Sequence, residues 1–142
     1  MSLAFVFPGQ GSQSVGMLAA LAAAEPIVQE TFAEASAVLG YDLWALCQQG
    51  PEAELARTER TQPAMLAAGV AVWRAWIAHG GGRPVAMAGH SLGEYTALVC
   101  SGALRFRDAV EVVRFRGGVM QDAVPLGTGA MAAILGLDDE QV

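Results

Sequence analysis

Lysine is missing from this sequence: every one of its eight basic residues is an arginine. Schiff-base chemistry on a lysine amine is therefore excluded for these 142 residues. Basic charge is scarce altogether, with 14 acidic residues and a formal net charge of −6, which argues against nucleic acid as a partner. Histidine occurs twice, at His79 and His90, and cysteine twice, at Cys47 and Cys100. The cysteines lie far apart and fit no metal-ligand spacing, so they read as buried free thiols in a reducing cytoplasm, with no metal and no cofactor. Long apolar runs are also lacking. The longest, Met17–Ala24, stops at Glu25-Pro26, well short of the roughly 18 residues of a membrane span. No basic residue precedes Arg57, so a secretory signal, which opens on positive charge, is not expected.

What is present is a chain 54% hydrophobic and 15% charged, sufficient for one domain with a packed core. Leu3–Phe7 is a short apolar run ending in Pro8-Gly9 and reads as a strand. A Gly-rich loop over Gly9–Ser14 follows, then a helical stretch over Met17–Leu39 broken near Pro26. Gln48–Gln62 is polar, with a turn at Gly50-Pro51. Pro63–Ala78 reads as a buried helix with proline at its start, closed by Gly80–Gly82. Pro84–Ala88 is a second strand, Leu92–Ala103 and Phe106–Asp122 are helices, and Met131–Leu135 is a third strand beyond a hinge at Pro125–Gly129. Strands alternating with helices imply an α/β fold, a parallel sheet flanked by helices.

Gly89-His90-Ser91-Leu92-Gly93 fits the pattern G-x-S-x-G. That pattern places a serine on a sharp strand-to-helix turn that only small neighbours permit, and a strand before and a helix after supply the required context. Ser91 is a candidate nucleophile, against the plainer reading of a glycine-flanked turn. The backbone N–H of Leu92, at the helix N-terminus, then faces an oxyanion formed on an attacked carbonyl. A serine nucleophile needs a base. Both histidines precede Ser91: His90 is adjacent and points away on a tight elbow, and His79 sits beside the triple glycine. The base is expected beyond Val142.

The loop Phe7-Pro8-Gly9-Gln10-Gly11-Ser12-Gln13 is neither a dinucleotide fingerprint, because Ser14 stands at the third glycine position, nor a P-loop, because no Gly-Lys-Ser/Thr follows. It is either an ordinary turn or a close backbone approach to substrate, with the Gln10 N–H as second oxyanion donor. On a helical wheel of Ala109–Asp122, Ala109, Val112, Val113, Val119 and Met120 share a side on which Arg116 also falls, while Arg114 points away. A core-facing arginine needs a partner, either an internal acid or the carboxylate of a ligand. Gly117-Gly118 could disturb that helix.

FVFPGQGSQ at Phe5–Gln13, GHSLGEY at Gly89–Tyr95 and RFRGGVMQ at Arg114–Gln121 together resemble the malonyl-CoA:acyl carrier protein transacylases. GAMAAILGL at Gly129–Leu137 resembles that family's entry into its small subdomain. The resemblance implies an α/β-hydrolase-like large subdomain, incomplete and spanning residues 1–127, with residues 128–142 as the first strand of a ferredoxin-like one. It implies malonyl transfer from coenzyme A, through a malonyl ester of Ser91, to the phosphopantetheine thiol of acyl carrier protein, in fatty acid biosynthesis. Gln10 and Leu92 then supply the oxyanion hole, and Arg116 holds the malonyl carboxylate. Gln62 in TQPA resembles a glutamine near the family's site, though it also suits a helix start. The family's histidine, its orienting group and its side-chain selectivity residues lie beyond residue 142. Alternatives are a trans-acting polyketide acyltransferase, a serine esterase, and a non-catalytic half that pairs with a complementary C-terminal chain.

Overall fold

The computed structural model describes residues 2–124, 128 and 136–141. Strand β1 (Ala4–Phe7) is followed by α1 (Ala19–Ala24), α2 (Pro26–Leu39), α3 (Leu43–Gln49), α4 (Glu52–Leu55) and α5 (Thr58–Ala78). Strand β2 (Ala86–Gly89), α6 (Leu92–Cys100) and α7 (Phe106–Asp122) complete the order, with a 3-10 turn at Asp139–Gln141. The two strands pair in parallel, Ala4 opposite Ala86 and Phe7 opposite Gly89. This is the expected small parallel sheet flanked by helices. The strand read over Met131–Leu135 lies outside the described residues.

Helix α5 is the spine. Ala64, Ala67 and Ala71 are fully buried, and their small size lets α2, α6 and α7 close around one rod. Phe5 of β1 meets the Trp73 and Trp76 rings of α5 edge-on at 5.3 and 5.6 Å, which seats the sheet on that rod. On the other flank, Phe32 of α2 is fully buried and packs edge-on against Trp44 of α3 at 5.0 Å. Arg74 joins three elements: it donates to Glu34 Oε2 at 2.8 Å and to Thr31 Oγ1 at 3.1 Å, and its guanidinium lies 4.9 Å from the Phe106 ring centroid. The outer face of the sheet is open, with Val6 largely exposed.

The structure changes several of the sequence expectations. The break at Pro26 is present, because Glu25 is held extended ahead of the proline. The polar stretch Gln48–Gln62 breaks at Gly50-Pro51 and is otherwise largely helical, containing the end of α3, all of α4 and the first turn of α5. Helix α5 starts at Thr58, so Pro63 lies inside it, where the missing N–H forfeits one hydrogen bond and packing carries the helix through. Strand β2 is shifted to end on Gly89. Helix α7 runs unbroken through Gly117-Gly118, and its buried seam is Phe106, Ala109, Val110, Val113 and Gly117. Val112, Val119 and Met120 are exposed among the described residues, so Arg116 sits at the edge of the seam and not at its middle. The wheel missed this because it gave Val110 and Gly117 no weight.

Both cysteines are buried, and burial pushes each thiol up to about 12, so neither is a nucleophile at neutral pH. No helix among the described residues is long and apolar enough to cross a membrane. The core assignment makes a direct prediction. Phe32→Ala should cost about 3–5 kcal/mol in denaturant unfolding, whereas Val6→Thr on the open sheet face should stay within about 0.5 kcal/mol. Equal effects would contradict the placement of the core.

Candidate active site

The site begins where β2 gives way to α6. Ser91 stands between them at φ 52° and ψ −108°, one of two non-glycine residues with positive φ among those described. Three backbone bonds hold it there: His90 N–H donates to the Phe7 carbonyl (3.1 Å), Gly93 N–H to the His90 carbonyl (2.9 Å) and Glu94 N–H to the Ser91 carbonyl (3.2 Å). The two glycines are required by contact. A Cβ on Gly89 would overlap the Gly93 carbonyl, and one on Gly93 would overlap the Phe7 carbonyl oxygen and sit 2.9 Å from that of Pro8. The ends of both strands and the first turn of α6 thus touch backbone to backbone.

The Gly-rich loop lies against this elbow. The position of a Cβ on Gly9 is 2.8 Å from the His90 carbonyl oxygen and 3.0 Å from His90 Nδ1. The next residue, Gln10, and the first residue of α6, Leu92, each carry a backbone N–H that donates to no group among the described residues. Two unspent donors therefore flank the serine turn, one on each side.

Arg116 reaches the serine from α7. Its Nη2 donates to Ser91 Oγ at 3.0 Å and its Nη1 to Gln62 Oε1 at 2.8 Å, and its guanidinium lies 5.8 Å from the Tyr95 ring centroid. Gln62 is fully buried, and its Nε2 faces Met120 Sδ at 3.4 Å. Among the described residues no carboxylate pairs with Arg116. Its nearest partners are neutral, so of the two options left by the sequence the internal acid is not found. Part of the guanidinium's donor edge is left without a partner among the described residues.

The structure therefore brings Ser91, Arg116 and Gln62 into one hydrogen-bonded chain, with Gln10 and Leu92 beside it. Gln62 is the fifth residue of α5 and not a helix start. The histidines stand apart. His79 Nε2 lies 2.7 Å from Glu25 Oε1, past the far end of α5 and about 25 Å along the helix axis from Gln62. His90 is exposed, turns Nδ1 toward Gly9, and forms no bond to Ser91. Among the described residues no three His, Cys, Asp or Glu side chains gather as metal ligands.

Sequence reasoning missed Thr58 and Tyr95. Thr58 Oγ1 accepts a hydrogen bond from Gln10 Nε2 at 3.2 Å. Starting α5 at Thr58 would have shown it one turn from Gln62 on the same face. It also missed why Gly117 is a glycine: a Cβ there would lie 2.7 Å from Glu59 Cα and 2.8 Å from the Thr58 carbonyl oxygen.

Residues 4–141 match the family model described as acyl transferase domain. The chain is 68% identical over 139 residues to the malonyl CoA-acyl carrier protein transacylase of Escherichia coli, covering 98% of this chain and 45% of that protein. The transacylase structure from Coxiella burnetii superposes with a TM-score of 0.95 at 60% identity, covering 99% of this chain and 45% of that one. A malonyl-transacylase solved in complex with its type II PKS acyl-carrier protein superposes with a TM-score of 0.94 at 64% identity, with coverage of 99% and 45%. The chain thus spans about 45% of the length of these relatives.

The elbow geometry predicts that in the whole protein Gly93→Ala, which drives a methyl group into the Phe7 carbonyl, abolishes labelling of Ser91 by a fluorophosphonate probe and lowers soluble yield. Gly82→Ala, where a Cβ meets nothing within 4 Å, should leave both unchanged. Full labelling of the Gly93 variant would contradict the geometry.

Proposed function

Because this chain belongs to the acyl transferase domain family, we propose that the whole protein moves a malonyl group from coenzyme A to the phosphopantetheine thiol of acyl carrier protein through an ester on Ser91. The observation that carries this reading is Arg116: a cation with no carboxylate partner among the described residues, one hydrogen bond from the serine hydroxyl. A transferred acyl group that ends in a carboxylate fills that vacancy with two parallel N–H···O bonds.

In the proposed first half-reaction, Ser91 Oγ adds to the thioester carbonyl and its proton passes to a base. The carbonyl oxygen becomes an anion, met by the N–H groups of Gln10 and Leu92, and losing one such donor costs roughly 100- to 1000-fold in rate. Collapse breaks the carbon–sulfur bond; the coenzyme A thiolate takes up the proton and leaves. In the second half-reaction the carrier-protein thiol attacks the serine ester, and Ser91 Oγ recovers its proton. Thioester exchange of this kind uses no metal and no cofactor. Neither His79 nor His90 serves as the base; that role belongs to the family's histidine, beyond residue 142. On the same reading, residues 1–127 are the first part of an α/β-hydrolase-like subdomain and residues 128–142 begin a ferredoxin-like one.

The match to a transacylase bound to a type II PKS carrier protein supports a second setting for the same chemistry, polyketide instead of fatty acid assembly. A serine esterase is disfavoured, since a neutral ester gives Arg116 nothing to hold. Two variants of the whole protein test the reading. Ser91→Ala should form no acyl-enzyme. Arg116→Ala should lower kcat/KM for malonyl-CoA by about 30-fold or more, the scale of an unpaired charge-assisted contact, while transfer of uncharged acetyl changes far less. Equal losses for both acyl groups would remove Arg116 from the role of carboxylate clamp.

A further inference from the structure

The loop that carries the Gln10 N–H is soft by composition. Gln10 stands between Gly9 and Gly11, and Gly11 has φ +102°. Such a segment loses much backbone freedom when it is fixed in one geometry. The bond from Gly11 N–H to Gln13 Oε1 (2.8 Å) is local and ties the loop only to itself. The side chain of Gln10 does more: its Nε2 donates across 48 positions to Thr58 Oγ1, in a half-buried contact at the first residue of α5. Among the described residues this is the bond that anchors the loop's side chains to the helical body.

Thr58 is also where α7 docks. Gly117, next to Arg116, lies against the Thr58 carbonyl and Glu59 Cα so closely that no Cβ fits between. One turn further along α5, Gln62 holds the Arg116 guanidinium. The first turn and a half of α5 therefore touches both halves of the site, the oxyanion loop through the Thr58 hydroxyl and the arginine through Gly117 and Gln62.

We propose that Thr58 is a positioning residue: by accepting from Gln10 Nε2 it fixes the direction of the Gln10 backbone N–H relative to Ser91 and keeps the oxyanion donor in register with Arg116. The inference rests on the acyl-transfer reading above. On this proposal the Thr58 hydroxyl acts through Gln10 and not by contact with the substrate. Its effect is exerted in the transition state, when charge develops on the carbonyl oxygen, and not on ground-state binding of the acyl thioester, which Arg116 governs.

The test uses steady-state kinetics of malonyl transfer by the whole protein, with Thr58→Val, Thr58→Ser, Gln10→Leu, and the Gln10→Leu/Thr58→Val pair. Thr58→Val keeps the shape and removes the acceptor; Gln10→Leu keeps the backbone N–H and removes the tether. Each should lower kcat by about 10- to 100-fold, the scale of a misplaced catalytic group, with KM within about twofold. Thr58→Ser should recover kcat to within about threefold, and the double variant should be no slower than the worse single one. A Thr58→Val variant with the parent kcat, a loss expressed in KM, or additive losses in the pair would each overturn the proposal. If either single variant fails to fold, the other decides. Formation of a malonyl ester by the parent and not by Ser91→Ala is scored in parallel, so failure of acyl transfer itself is told apart from failure of the tether.

Discussion

Everything in this molecule is arranged around a backbone contact in which no side chain intervenes: the first turn of α6 pressed on the ends of both β1 and β2. Gly89 and Gly93 make that contact possible, and it throws Ser91 into a positive-φ conformation. Such a conformation costs a non-glycine residue of the order of 1–3 kcal/mol. Three hydrogen bonds across the turn and the burial of Leu92 and Gly93 offset it. The result is a hydroxyl raised at the head of a helix, with an unspent N–H behind it and another on the loop that lies against it. The sheet needs only two strands among the described residues to create this, because the contact is local to their C-terminal ends.

The second constraint is charge. An arginine at the edge of a packed seam needs partners, and among the described residues Arg116 has neutral ones: a serine hydroxyl, the oxygen of a fully buried glutamine and a tyrosine ring. Gln62 satisfies the guanidinium without neutralising it. With no carboxylate beside it among the described residues, Arg116 leaves a positive potential next to Ser91, which on the proposed reading an anionic acyl group relieves and a neutral one does not. On the proposed reading, the group that selects the acyl chain and the serine that receives it stand within one hydrogen bond of each other. The close fit of Gly117 on the first turn of α5 holds them in that relation.

The elbow was legible in the sequence because its chemistry is local. Gly89-x-Ser91-x-Gly93 between an apolar run and a helix describes the turn almost completely, and the two short strands follow from composition. Arg116 was legible as an anomaly, a charge on an otherwise apolar helix face, although the seam's true centre escaped notice because Gly117 buries no side chain. What could not be read was long-range. Pro63 looked like a helix start because proline so often is one, and tertiary packing overrode that preference. Starting α5 five residues late hid the Thr58–Gln62 face, and with it the partner of Gln10 and the reason for Gly117. A hydrogen bond spanning 48 positions leaves no periodicity behind.

The most direct measurement is a competition on the unmodified whole protein: equal malonyl-CoA and acetyl-CoA, quenched early, followed by intact mass and mapping of the labelled peptide. The account predicts a malonyl adduct in large excess over acetyl, confined to Ser91. Equal labelling by the two acyl groups, or an adduct on any other residue, would contradict it.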